Sequence, residues 1–363
     1  MDPLVDTDWL AAHLGDSDLV VLDCTVRFEP TDDGGMRAAS GRDGFEAGHI
    51  PGSRFADLTA ELSDPASELS FALPTPEAFC AAMGRLGVGD NVRVVLYDAS
   101  FSAWAARVWW MLRWVGFDRA ALLDGGLRAW TAEGRDVSTT LTQPAAAVLT
   151  PRVRPELIAD RDEMHGAIGD AGIVLVDTLP PGQYSGETPM YSRPGHIPGA
   201  INVPALSLID NDGRYLALDS LAAMHPIDPS RRVITYCGGG IAASSTAFTL
   251  ARLGHTDIAV YIASLQEWTT DPGNPLVTVM LKFVEWANEG EAPQRYIWEV
   301  CRWPKGRSFD WTFICWMVDG VGMWLKTFPS KREAIAYYRQ APAAVMARAA
   351  RPAGDDVRES APA

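Results

Sequence analysis

The chain repeats itself. GHIPGS at 48–53 returns as GHIPGA at 195–200, and VVLYDAS at 94–100 returns as VITYCGG at 233–239. LLDGGLRAW at 122–130 returns as VYIASLQEW at 260–268, and VVLDCT at 20–25 pairs more loosely with LVDTLP at 175–180. The order is the same in both halves. One hexapeptide can recur by chance, but four ordered matches mark a duplicated unit. A length of 363 residues leaves room for two such units and a remainder.

Each half reads as α/β. VVLD (20–23), VRVVLYD (92–98) and RAALLDGG (119–126) in the first half are short apolar runs with polar ends. GIVLVD (172–177), RRVITYC (231–237) and DIAVYI (257–262) are their counterparts. Runs of this kind suit parallel strands buried on both faces. AWAARVWWMLRWVGF (103–117) and AASSTAFTLARLG (242–254) have helical length and close on Gly116 and Gly254. Strands alternating with helices predict, in each half, a parallel sheet flanked by helices. Chemistry in such sheets collects beyond the carboxyl ends of the strands. Asp98 and Cys237 stand at matching places of that kind.

Composition changes near residue 280. From Met280 onward there are 12 basic and 10 acidic residues, against 19 and 36 before it. Six of the 13 tryptophans also fall there. The expected organisation is therefore a domain at 1–140, a Thr/Pro/Ala-rich linker at 141–155 and a second domain at 156–279. A small α+β module at 280–350 and a disordered tail at 351–363 follow. Within the module, 296–303, 309–318 and 322–328 read as three strands, and 329–350 as a helix.

The formal charge of −15 argues against nucleic acid and anionic membranes as partners. No apolar run reaches transmembrane length. The acidic start MDPLVDTDWLAAHLGD lacks the pattern of a signal peptide. Five scattered cysteines do not make a disulfide framework, so a cytoplasmic setting is expected. Cys24, Cys80, Cys301 and Cys315 show no close ligand spacing; neither metal nor cofactor is expected.

The most informative stretch is VITYCGGGIAASS at 233–245. A thiolate, not a thiol, is the nucleophile, and an unperturbed cysteine is mostly thiol at neutral pH. Glycines let successive N–H groups curl around an anion, and a following helix adds partial positive charge. Cys237, the loop Gly238, Gly239, Gly240, Ile241, Ala242 and Ala243, and the helix after it supply these features together. An inert buried cysteine with a glycine turn is the plainer alternative, and the coincidence of features argues against it.

These residues carry a resemblance. GHIPG in each half, the YD and YC strand ends, the DGG…W segment and YSRPGHIPGAINVP (191–204) make residues 4–279 similar to two-domain sulfurtransferases of the rhodanese superfamily. The resemblance implies two tandem rhodanese-like domains, the first catalytically silent with Asp98 at the cysteine position. It implies that Cys237 takes a sulfane sulfur from a small donor, becomes a persulfide and passes the sulfur to an acceptor. Cyanide, a low-molecular-weight thiol or a thioredoxin-like protein would be that acceptor.

The donor is harder to read. Thiosulfate-using members carry basic residues after the cysteine, where this chain has Gly238 and Gly239. Members using 3-mercaptopyruvate have a neutral loop and arginines where Leu179 and Gln183 stand here. Arg193 is the remaining candidate for holding the donor, with a salt bridge on its own loop as the other reading. His49 is a candidate for proton transfer, with Asp43 to orient it; its twin His196 in the same motif favours turn stabilisation instead. Ser244 reads as a capping hydroxyl or a further site residue. A cysteine phosphatase would need a loop arginine, and Ala243 and Ser244 stand at its place. A persulfide carrier without turnover is the surviving alternative function.

Overall fold

The computed structural model describes residues 1–31, 36–225 and 227–278 in full, and beyond them the main chain of four strands. The two repeats build two sheets of one design. The first sheet joins Leu4–Val5, Ala120–Leu123, Arg93–Tyr97, Leu19–Asp23 and Arg54–Phe55 in that spatial order. The second joins Ile158–Ala159, Ile258–Tyr261, Arg232–Tyr236, Ile173–Asp177 and Ile201–Asn202. All neighbours run parallel. The registers agree too: Asp23 lies opposite Tyr97, and Asp177 opposite Tyr236.

The central strands are buried from their second residue to their last, Val94–Tyr97 and Val233–Tyr236, as expected of parallel strands with helices on both faces. The helices Ala103–Trp114 and Ile241–Arg252 follow the third principal strand of each sheet. These two helices pack against each other, with Trp109 edge-on to Phe248 at 5.0 Å. Further bonds join the two repeats. The Tyr215 amide donates to Asp124 at 2.8 Å, Arg214 to Glu133 at 2.6 Å, and Trp110 Nε1 to the Leu157 carbonyl at 3.0 Å.

The linker runs as a strap over the first repeat. Its amides at Ala147, Arg152 and Arg154 donate to the carbonyls of Gly84, Val115 and Trp114. A hairpin, Val26–Pro30 with Met36–Ser40, is an insertion that the strand reading did not include.

A second compact unit gathers Gly182–Pro189, Pro194–Pro198 and the described residues from Leu276 onward. Its four strands, Met280–Trp286, Gln294–Lys305, Ser308–Met317 and Met323–Phe328, form an antiparallel meander. The last three overlap the stretches read as strands, apart from residues 318 and 322, which lie outside the described residues, and one further strand precedes them. The helix expected at 329–350 and the tail at 351–363 lie outside the described residues.

Candidate active site

Cys237 follows the buried strand Arg232–Tyr236 and is itself 3% exposed. Four residues later the helix Ile241–Arg252 begins, with Gly240 as its N-cap at φ +77°. The Gly240 N–H donates to Cys237 Sγ at 3.1 Å. One of the donors that every helix start leaves unpaired is therefore turned onto the sulfur. The Cys237 amide donates to Ser264 Oγ at 3.1 Å, and Ser264 Oγ donates to the Tyr261 carbonyl at 2.6 Å. The Leu265 and Gln266 amides hold the Cys237 and Gly238 carbonyls at 3.1 and 2.9 Å. The thiol sits in a fixed loop.

The glycines have a second reason besides conformational freedom. A Cβ at Gly238 would collide with the Tyr191 hydroxyl. At Gly240 it would stand 2.8 Å from the Ile262 carbonyl oxygen and 3.0 Å from Arg107 Nη1. Gly239 is looser: its nearest neighbour would be Gln266 Nε2 at 3.2 Å, and Gln266 is bonded in turn to the main chain of Ser70. The stripping of side chains thus makes room for Tyr191 and Arg107, neither of which the sequence reading singled out. Burial, and after it the nearby Cys237 and Asp177, push the Tyr191 phenol well above its usual range.

The first repeat shows what the same loop does without a thiol. Asp98 Oδ1 accepts from the Ser100 amide at 2.8 Å, the Ser100 hydroxyl at 2.9 Å and the Ser102 amide at 3.1 Å. Its Oδ2 accepts from the Ala105 amide at 3.1 Å. The carboxylate fills the anion nest of its own loop. Ser102 caps the next helix at φ +62°, where the second repeat has Gly240. Likewise Ser264 at φ +52° takes the left-handed place that Gly126 holds in the first repeat, and its hydroxyl reaches the cysteine amide.

Arg193 makes no ion pair among the described residues. Its guanidinium donates to the carbonyls of Thr269 (3.1 Å), Asp271 (2.7 Å) and Asn274 (2.9 Å), with Trp268 and Pro272 at 3.4 and 3.5 Å. It clamps the segment after the strand–helix turn of residues 258–268. His49 lies flat on Phe45, its Nδ1 2.7 Å from the Phe45 carbonyl and its Nε2 3.2 Å from that of Thr140. His196 lies flat on Tyr184, its Nδ1 2.9 Å from the Tyr184 carbonyl. Each histidine also exchanges main-chain bonds with a later segment, at Ser138 and Val277. The two motifs share one turn-locking geometry, and burial lowers the His196 pKa to about 4. Asp43 does not reach His49; it is largely exposed and faces Arg27 at 3.5 Å. Ser244 Oγ donates back to the Gly240 carbonyl at 2.7 Å, inside the helix. Ile241, Ala242 and Ala243 form the first turn of that helix.

The loop has no cation of its own, but a cation does reach it: Arg107, from the helix Ala103–Trp114 of the first repeat. The signal was present in the sequence, since Arg107 is the one charged residue within the apolar stretch AWAARVWWML at 103–112.

The sheet order, the paired loops and the buried cysteine define a tandem α/β protein in which one of the two matching loops carries a thiol. The Rhodanese-like domain model matches residues 6–133 and 160–271, and the chain belongs to that family. Thiosulfate/3-mercaptopyruvate sulfurtransferase 2 of Arabidopsis thaliana is 32% identical over 76% of this chain and 86% of its own. A probable 3-mercaptopyruvate sulfurtransferase of Pseudomonas aeruginosa is 32% identical over 76% and 98%. The crystal structure of SseA, a 3-mercaptopyruvate sulfotransferase of Escherichia coli, matches with TM-score 0.65 at 29% identity, over 73% of this chain and 99% of that one.

Proposed function

We propose that the protein is a sulfurtransferase that moves a sulfane sulfur from thiosulfate or 3-mercaptopyruvate to a thiol or cyanide through a persulfide on Cys237. The observation that carries this reading is the bond from the Gly240 N–H to the sulfur of a cysteine fixed at a strand end and a helix start. The names of the relatives support the two donors.

The Cys237 thiolate attacks the outer sulfur of thiosulfate. The donor S–S bond breaks, sulfite leaves with the bonding pair, and a persulfide anion remains on Cys237. With 3-mercaptopyruvate the C–S bond breaks instead, and the sulfur's proton ends on carbon as pyruvate forms. An acceptor thiolate or cyanide then attacks the terminal sulfur and regenerates the thiolate. Each step leaves one negative charge on the loop, where the Gly240 N–H stabilises it.

Asp98 makes the first repeat silent in this scheme, since it offers a self-satisfied carboxylate where the second repeat offers sulfur. Arg193 and His49 act structurally, the one as a clamp on carbonyls and the other as a turn lock. A cytoplasmic setting and a thioredoxin-like or low-molecular-weight thiol acceptor belong to the same proposal; the unpaired state of Cys24, Cys80 and Cys237 is consistent with both.

Turnover is the test. Purified protein should produce thiocyanate from thiosulfate and cyanide, or pyruvate from 3-mercaptopyruvate and a dithiol. Cys237→Ser should abolish both, and a normal rate in that variant would remove the mechanism.

A further inference from the structure

Arg107 is 1% exposed. Its Nη2 donates to the Phe71 carbonyl at 2.8 Å, while Nε and Nη1 have no hydrogen-bond partner. Nη1 points at Gly240, 3.0 Å from where a Cβ would stand on that residue. A guanidinium keeps its proton even when buried, and an uncompensated buried charge costs several kcal/mol. No described carboxylate pairs with Arg107; the negative charge that bears on it is that of Cys237. Burial pulls its pKa down to about 10, and the Cys237 charge works against that pull.

We propose that Arg107 is the counter-ion of the Cys237 sulfur, a positive charge lent to the CGGGIAA loop by the domain whose own matching loop carries Asp98 instead of a thiol. The inference rests on the reading of Cys237 as the sulfur-carrying residue. It explains three observations together. The loop lacks side-chain cations because one enters from behind it. Gly240 has no side chain because the guanidinium approaches there. The first repeat keeps its helix against the second repeat's helix although its own loop holds Asp98. Thiolate and persulfide both carry one negative charge, so the same cation serves both states. Arg107 acts through the loop rather than on the donor, and is a positioning residue.

The test uses the full chain with Arg107→Gln, which keeps a donor for the Phe71 carbonyl, and Arg107→Lys, which keeps the charge. The readout is the rate of Cys237 alkylation by neutral iodoacetamide against pH, followed by mass spectrometry. Tyr191, whose phenol feels the charges of both Cys237 and Asp177, is unchanged in both variants. The Gln variant should need a pH about one unit higher for half-maximal alkylation, which makes it about tenfold slower at neutral pH. The Lys variant should recover most of that loss. An arginine with a packing role alone would move the unfolding midpoint and leave the pH profile in place. A folded Gln variant with the wild-type profile overturns the proposal. If the variants do not fold, the wild-type protein still decides. Anionic iodoacetate should react faster, relative to iodoacetamide, than it does with glutathione; a lower ratio than glutathione's overturns the proposal. Failure of wild-type Cys237 to gain sulfur from any donor would strike the sulfurtransferase reading instead and leave the charge pairing to the alkylation profile.

Discussion

The amide of Gly240 stands 3.1 Å from the sulfur of Cys237 and donates to it. The bond requires Gly240 to hold φ +77° while it starts a twelve-residue helix. Strand end, reactive atom and helix start are locked together by one residue without a side chain. In the first repeat the same place is filled by the carboxylate of Asp98, bound by its own loop.

Gly240→Ala should therefore do far more damage than Gly239→Ala. The first forces a side chain into a left-handed conformation, at about 1–3 kcal/mol, and presses Cβ against Ile262 and Arg107. The second meets only the end of Gln266. Unfolding free energies from urea titration should separate the two variants by at least about 1 kcal/mol, roughly the lower end of that strain. Persulfide formation should be lost only at Gly240.

Gly238 and Tyr191 form a coupled pair. Gly238→Ala places a methyl group where the Tyr191 hydroxyl lies. The substitution should slow sulfur uptake, and Tyr191→Ala in the same chain should restore part of the rate. Such rescue is the mark of residues in direct contact, and strict additivity in the double-mutant cycle would contradict the packing described here.

Arg193→Met should lower stability by about 2–4 kcal/mol, because several carbonyls lose a charged donor at once. The KM for either donor should change less than threefold, a small effect beside about tenfold per 1.4 kcal/mol of lost binding. A large rise in KM with unchanged stability would return Arg193 to the role of donor ligand.

Asp177 gives a prediction in pH. Burial raises its pKa to about 7 from 3.8, against the opposing bonds from Leu179 and Tyr236. A carboxyl raised in the folded state favours folding at low pH and loses that contribution as pH climbs towards 7. Asp177→Asn cannot ionise, so its stability relative to wild type should grow between pH 5 and pH 8, by up to about 3 kcal/mol. His196 works in the opposite sense, since its lowered pKa costs stability as pH falls from 6.5 to 4, but it is common to both proteins. Equal urea midpoints for the two proteins at both pH values would refute the assignment.

Much of this fold was legible in the sequence because both of its signals are local. β-branched runs mark the strands, and glycines after apolar stretches mark the helix ends. The cysteine was legible for the same reason: strand, glycines and helix lie within a dozen residues. What could not be read was contact across long separations. Tyr191 reaches Gly238 over 47 residues, and Arg107 reaches Gly240 over 133. Arg193 was read as a donor ligand or a salt-bridge partner because nothing in YSRPG shows that carbonyls 75 residues and more downstream surround it. The histidines looked equivalent by motif, and in that case the motif was the better guide, since both lock a turn.

The central claim is that Cys237 carries the sulfur, and intact-protein and peptide mass spectrometry test it most directly. After exposure to thiosulfate or 3-mercaptopyruvate and removal of the excess, the peptide holding Cys237 should gain the mass of one sulfur atom. Cyanide should then remove it as thiocyanate. Cys24 and Cys80, both buried and with thiol pKa values pushed up by burial, should gain nothing. Sulfur on another cysteine, or turnover with Cys237 unmodified at every time point, would contradict the account.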